Sequence, residues 1–271
     1  MSGHGLLALF LVSCAPLDAE SSSLALDAAP TPVWFAIGQS NMLGASYAAS
    51  LPPEYALPFE DIPYQAYFGN SAPTWTSAWI PLSDSTPFGA GGRYGPEVTF
   101  ARDVVDGGRP IALLKYAVNG APLHTRWVPH VEDLYPAFRD FALSRLSELP
   151  GVPVGLLWVG CEGDATNTTR ANAIPANLSE LVAAIEDDFG VTGIRAVLPR
   201  LHAEMDRAQL TLARAKMIEF AESESRFAWI DTDDLALKDE GEPGPGGDQH
   251  YDAASVQIIG QRGADVVLDA P

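Results

Sequence analysis

Val33-Trp34-Phe35-Ala36-Ile37-Gly38-Gln39-Ser40-Asn41-Met42 sets five apolar residues before a glycine and then a polar turn. A short, unbroken apolar run closed by glycine is the pattern of a strand whose two faces are both covered. A Ser just after such a strand stands where the chain swings away from the sheet, close to a helix N-terminus. Free backbone N–H groups there favour negative charge developing on a bound carbonyl oxygen. Position alone also fits a plain helix N-cap.

Working outward, apolar runs at 110–116, 154–159, 194–198 and 227–230 alternate with helical patterns near 95–106, 131–148, 172–189, 206–224 and 252–268. Strand and helix in alternation predict βαβ units, hence one doubly wound α/β domain with a five-stranded parallel sheet over 32–271. Ligands of such sheets bind beyond the carboxyl ends of the strands, where the motifs below fall. Residues 51–94 break the alternation with seven prolines and nine of the 25 aromatics, too long for a plain connection. These rings are expected mostly to pack on one another, with sugar stacking as the alternative.

The chain has 271 residues, 47% of them hydrophobic, enough for a core that needs neither disulfide nor metal. A formal charge of −19 argues against nucleic-acid binding, which needs a basic face. Residues 5–13 form an apolar run of signal-peptide length, and Leu11-Val12-Ser13-Cys14 resembles the bacterial lipobox. The resemblance implies a signal peptide over 1–13, a lipid on Cys14 and a tether over 14–31. The protein would then be anchored at the bacterial cell envelope, periplasmic or surface-exposed, with the membrane as a partner. The n-region lacks the usual Lys or Arg. With Cys14 acylated, Cys161 has no partner for a disulfide.

Gly246-Gly247-Asp248-Gln249-His250-Tyr251 precedes the last helical pattern. With Ser40 it offers a nucleophile, a base and an orienting acid. A surface His in an acidic loop is the other reading. His124 and His130 flank Trp127, and His202 is expected to pack after the fourth strand; none has metal-ligand spacing, so no metal is expected. The acidic residues from Asp231 to Asp248 match no calcium loop and read as a solvated loop.

Gly38-Gln39-Ser40-Asn41-Met42 resembles the first block of the sialate O-acetylesterase and acetylxylan esterase group, carbohydrate esterase family six of the SGNH hydrolases. The resemblance continues, in the family's order, through Tyr94-Gly95-Pro96-Glu97, Lys115 to Leu123 and Trp127, Trp158-Val159-Gly160-Cys161-Glu162-Gly163-Asp164, Arg207-Ala208-Gln209, Asp231 to Leu235 and His250 to Ala254. It spans roughly 33–267.

What it implies is a flavodoxin-like α/β/α serine esterase that removes acetyl groups from carbohydrates without a cofactor. Ser40 would be the nucleophile and His250 the base. Asp248 would be the orienting acid, with Glu162 as the alternative. Backbone N–H groups of Ser40 and Gly120 would face the oxyanion, while Gln39, Asn41, Trp127 and Glu97 would meet substrate. Two departures stand out. Asp248 lies two residues before the His, where the family more often has three. Gly160 stands where the family's Gln supplies an oxyanion donor, and losing one such donor costs about 2.7–4 kcal/mol. Cys161, in place of the next Gly, is expected to be a small buried residue. A carbohydrate-binding protein that kept the fold and lost activity is the competing reading.

Overall fold

The computed structural model describes residues 29–69, 80–82, 92–149, 151–239 and 249–269. The run 5–13, Cys14, Trp75, Trp79, Phe88 and Asp248 lie outside the described residues. In chain order the elements are β1 (Thr31–Gly38), α1 (Ser40–Leu43), β2 (Ser46–Tyr47), β3 (Phe59–Gly69), β4 (Ile80–Leu82), β5 (Arg93–Tyr94), α2 (Glu97–Asp106) and β6 (Ala112–Val118). Then follow α3 (Leu134–Leu146), β7 (Gly151–Val159), α4 (Thr168–Phe189), β8 (Arg195–Pro199), α5 (Leu210–Ala221), β9 (Phe227–Ile230) and α6 (Ala253–Asp269).

One sheet runs β4-β3-β6-β1-β7-β8-β9, with β2 and β5 forming a separate antiparallel pair. All pairings from β3 to β9 within it are parallel, and only β4 joins antiparallel at the edge. The sheet therefore has six parallel strands where the apolar runs predicted five. The additional one is β3, inside the Pro-rich segment. Its Glu60, Asp61, Pro63 and Gln65 hide it from an apolar-run reading. Pro63 sits at a register irregularity against the edge strand, the kind of place a strand tolerates proline.

Consecutive residues of β1 point to opposite faces, and both find aromatic partners. Trp34 meets Phe100 of α2 edge-on at 5.0 Å, while Phe35 meets Phe138 of α3 at 5.1 Å and Phe189 of α4 at 5.2 Å. Each such ring removed from water contributes about 1.5–3 kcal/mol. Helices α2 and α6 pack together on one face; α3, α4 and α5 cover the other. That is the three-layer α/β/α fold.

Five of the aromatics of 51–94 are built into the fold. Tyr67 stacks on Tyr116 at 4.0 Å, Tyr55 donates to Asp103 at 2.6 Å, and Phe59, Tyr64 and Tyr94 are buried. One buried ion pair interrupts the apolar layers: Lys115 Nζ of β6 lies 2.5 Å from Glu97 Oε1 at the start of α2. Its neighbour Gly95 has no room for a Cβ, which would fall 2.4 Å from the Met42 carbonyl oxygen and 2.6 Å from Glu97 Oε2. The Tyr94-to-Glu97 block thus braces the turn that follows Ser40.

Candidate active site

β1 ends at Gly38, with φ of +150° and an imaginary Cβ only 1.9 Å from the Val159 carbonyl oxygen. Only glycine lets β1 lie this close to the end of β7. The next N–H, of Gln39, donates to that same oxygen at 2.9 Å, and α1 starts at once. Ser40 is its first residue and is partly exposed at the carboxyl edge of the sheet. Its own N–H belongs to a first helical turn, whose N–H groups have no intrahelical acceptor.

His250 approaches from the far end of the chain, just before α6. Its Nε2 is 2.9 Å from Ser40 Oγ. With the ring proton on Nδ1, Nε2 accepts the Ser40 hydroxyl hydrogen. The segment is held on several sides. Lys238 N donates to the His250 carbonyl at 2.8 Å, Leu237 and Tyr251 bridge, and Asp252 caps α6 by accepting from Ser255 N at 2.7 Å.

Glu162, from the loop after β7, is buried, and its carboxylate spans two amides. Oε2 accepts from Gln39 Nε2 at 3.0 Å and Oε1 from Asn41 Nδ2 at 2.6 Å. Burial pushes the Glu162 carboxyl above its usual range, and the Asn41 hydrogen bond works against that rise. Arg207 Nε donates to the Glu162 carbonyl at 3.0 Å, and its guanidinium also bonds the Gln249 side chain. Asp164, two residues on, accepts from Leu123 N at 2.7 Å and His124 N at 2.9 Å. It thereby ties down the loop that carries Gly120, whose backbone is exposed beyond β6.

Two residues expected to meet substrate are inaccessible. Trp127 is enclosed by Tyr116, Phe138 and Trp158, and Glu97 is locked to Lys115; both are buried. Gln39 and Asn41 are likewise buried, facing Glu162. At Gly160 a Cβ would lie 3.0–3.4 Å from Trp158 ring atoms. Asn167, another amide near this loop, caps α4 by accepting from Arg170 N at 3.1 Å. Cys161 is buried with a left-handed φ of +87°, where the family pattern has glycine, and burial raises its thiol pKa well above the ordinary value.

Of the acidic stretch, Asp231, Asp233 and Asp234 are paired with arginines 200, 214 and 262 instead of being simply solvated. His202 is buried between the Leu235 carbonyl and Glu204 N. Among the described residues no cluster is arranged to hold a metal. Sequence reading gave no role to Lys115, Asp164 and Arg207. A lysine inside an otherwise apolar strand was the available signal, since it needs a buried partner.

A hydroxyl and an imidazole thus meet at the carboxyl edge of a three-layer parallel sheet, the place where ligands of such sheets bind. The chain belongs to the carbohydrate esterase, sialic acid-specific acetylesterase family, whose model matches residues 30–269. It is a carbohydrate esterase. No curated protein matches it.

Three solved structures share the fold. A protein of Arabidopsis thaliana has a TM-score of 0.69 at 19% identity, with 89% of this chain and 98% of that one covered. NanS has a TM-score of 0.64 at 12% identity, with 88% and 97% covered. A carbohydrate acetylesterase from Xanthomonas citri has a TM-score of 0.60 at 15% identity, with 87% of this chain but 55% of that one covered.

Proposed function

We propose that the protein removes O-acetyl groups from carbohydrates through an acetyl-Ser40 intermediate. The observation that carries this reading is the 2.9 Å contact between Ser40 Oγ and His250 Nε2 at the carboxyl edge of the sheet. Ser40 Oγ attacks the acetyl carbonyl while its proton passes to His250 Nε2. The sugar oxygen leaves with that proton, and water, deprotonated by His250, then releases acetate and restores Ser40. The N–H groups of Ser40 and Gly120 face the oxyanion.

Asp248, two residues before His250, is the orienting acid in this scheme. The alternative, Glu162, already holds two amides. Lipid attachment at Cys14, placing the enzyme at a bacterial envelope, belongs to the proposal and rests on Leu11-Val12-Ser13-Cys14. Incorporation of labelled fatty acid into the wild type and not into Cys14→Ser tests it.

Gly160, which carries no side-chain amide, favours a second reading in which the fold binds carbohydrate without turning it over. Acetate release from acetylated xylan or sialic acid decides between them. The wild type releases acetate and Ser40→Ala does not; activity of Ser40→Ala within tenfold of wild type overturns the mechanism. Sugar binding with no acetate release selects the second reading.

A further inference from the structure

We propose that Asn41 is a positioning residue that fixes His250 against Ser40, with Glu162 as its anchor, and that it does not bind substrate. The inference rests on the Ser40–His250 reading above. Asn41 grips the chain on both sides of His250: Nδ2 donates to the Gln249 carbonyl at 3.0 Å, and Oδ1 accepts from Tyr251 N at 3.3 Å. The second Nδ2 hydrogen goes to Glu162 Oε1 at 2.6 Å. Both amide hydrogens are therefore committed inside the protein, and the side chain is 1% exposed, which leaves no donor for a sugar.

Because Asn41 follows Ser40 directly on α1, one rigid turn carries both the hydroxyl and the clamp for its partner imidazole, from opposite ends of the sequence. Glu162 sets the rotation of the clamp. It accepts from Asn41 and from Gln39, the residues on either side of Ser40, and its acceptor-only carboxylate dictates that Asn41 turns its NH₂ inward. Arg207 closes the ring by bonding both the Glu162 carbonyl and the Gln249 side chain. A misplacement of a reacting group by about 1 Å costs on the order of 10²-fold in rate. Asn41→Ala removes the grip and leaves the substrate face as it was.

The test measures kcat and KM of wild type, Asn41→Ala, Glu162→Gln and Ser40→Ala on 4-nitrophenyl acetate, with circular dichroism to confirm folding. The expected result is a fall in kcat of about 10²-fold for Asn41→Ala at a KM within about twofold of wild type. Glu162→Gln, which keeps its shape and one acceptor oxygen, falls by a smaller factor in kcat alone. A raised KM at unchanged kcat in Asn41→Ala overturns the proposal and makes Asn41 a substrate contact. If Asn41→Ala does not fold, Glu162→Gln decides: unchanged kcat overturns, a selective kcat loss supports. An inert wild type, or an active Ser40→Ala, instead sinks the hydrolase reading itself.

Discussion

Replacing Lys115 by Met isolates what the buried ion pair contributes. Lys115 and Glu97 have side-chain exposures of 0% and 1%, and their charged atoms lie 2.5 Å apart. Glu97 Oε1 also accepts from Gly95 N at 3.3 Å, whereas Oε2 has no hydrogen-bond partner among the described residues. Without Lys115 the carboxylate keeps one long hydrogen bond in a dry layer. Removing one partner of a buried pair costs about 3–5 kcal/mol. For a domain of this size about 2–4 °C of Tm goes with each kcal/mol, so the melting temperature should fall by about 6–20 °C. Removing both charges with Lys115→Met plus Glu97→Met should recover most of the loss, since well-packed apolar replacements of such pairs are about neutral. Thermal melts by circular dichroism and urea titrations of the three proteins measure this. A single variant melting within 3 °C of wild type, or a double variant no better than the single, refutes the reasoning.

Three further outcomes follow from the packing around the site. Gly160→Gln puts a Cβ 3.0 Å from the Trp158 ring. It should cost about 1–3 kcal/mol in stability while raising kcat at least about tenfold through the added amide donor; an unchanged or lower kcat means the oxyanion is held by backbone donors alone. Gly38→Ala sets a Cβ against the Val159 carbonyl at 1.9 Å and should give insoluble protein, so a soluble variant with normal activity contradicts the described junction. Cys161, buried and with its thiol pKa raised, should resist a thiol-modifying reagent until denaturant is added, as mapped by peptide mass spectrometry; rapid labelling in the native protein speaks against its burial.

The parallel core was legible because its strands are apolar on both faces, and the run ending at Gly38 led directly to the turn that carries Ser40. β3 was not, because a strand beside a short edge partner tolerates Pro63 and charged residues that a central strand does not. Ser40 and His250 were readable as chemistry by residue type, and their 210-residue separation says nothing of distance until the strand order is known. Trp127 and Glu97 were misjudged for one reason. Sequence shows which residues recur in motifs, but whether a side chain faces solvent or the layer beneath depends on pleat and packing. The same holds for Glu162, whose carboxylate could orient an imidazole or hold amides, and whose partners at 2.6 and 3.0 Å are amides.

The proposed mechanism requires that Ser40 become acetylated during turnover. Rapid acid quenching of the enzyme with an acetylated sugar, followed by mass spectrometry of the peptide containing residue 40, tests this directly. One acetyl group is expected on Ser40 in the wild type and none in Ser40→Ala, which also releases no acetate. Steady acetate release with an unmodified Ser40 peptide, or release that survives Ser40→Ala, would contradict it.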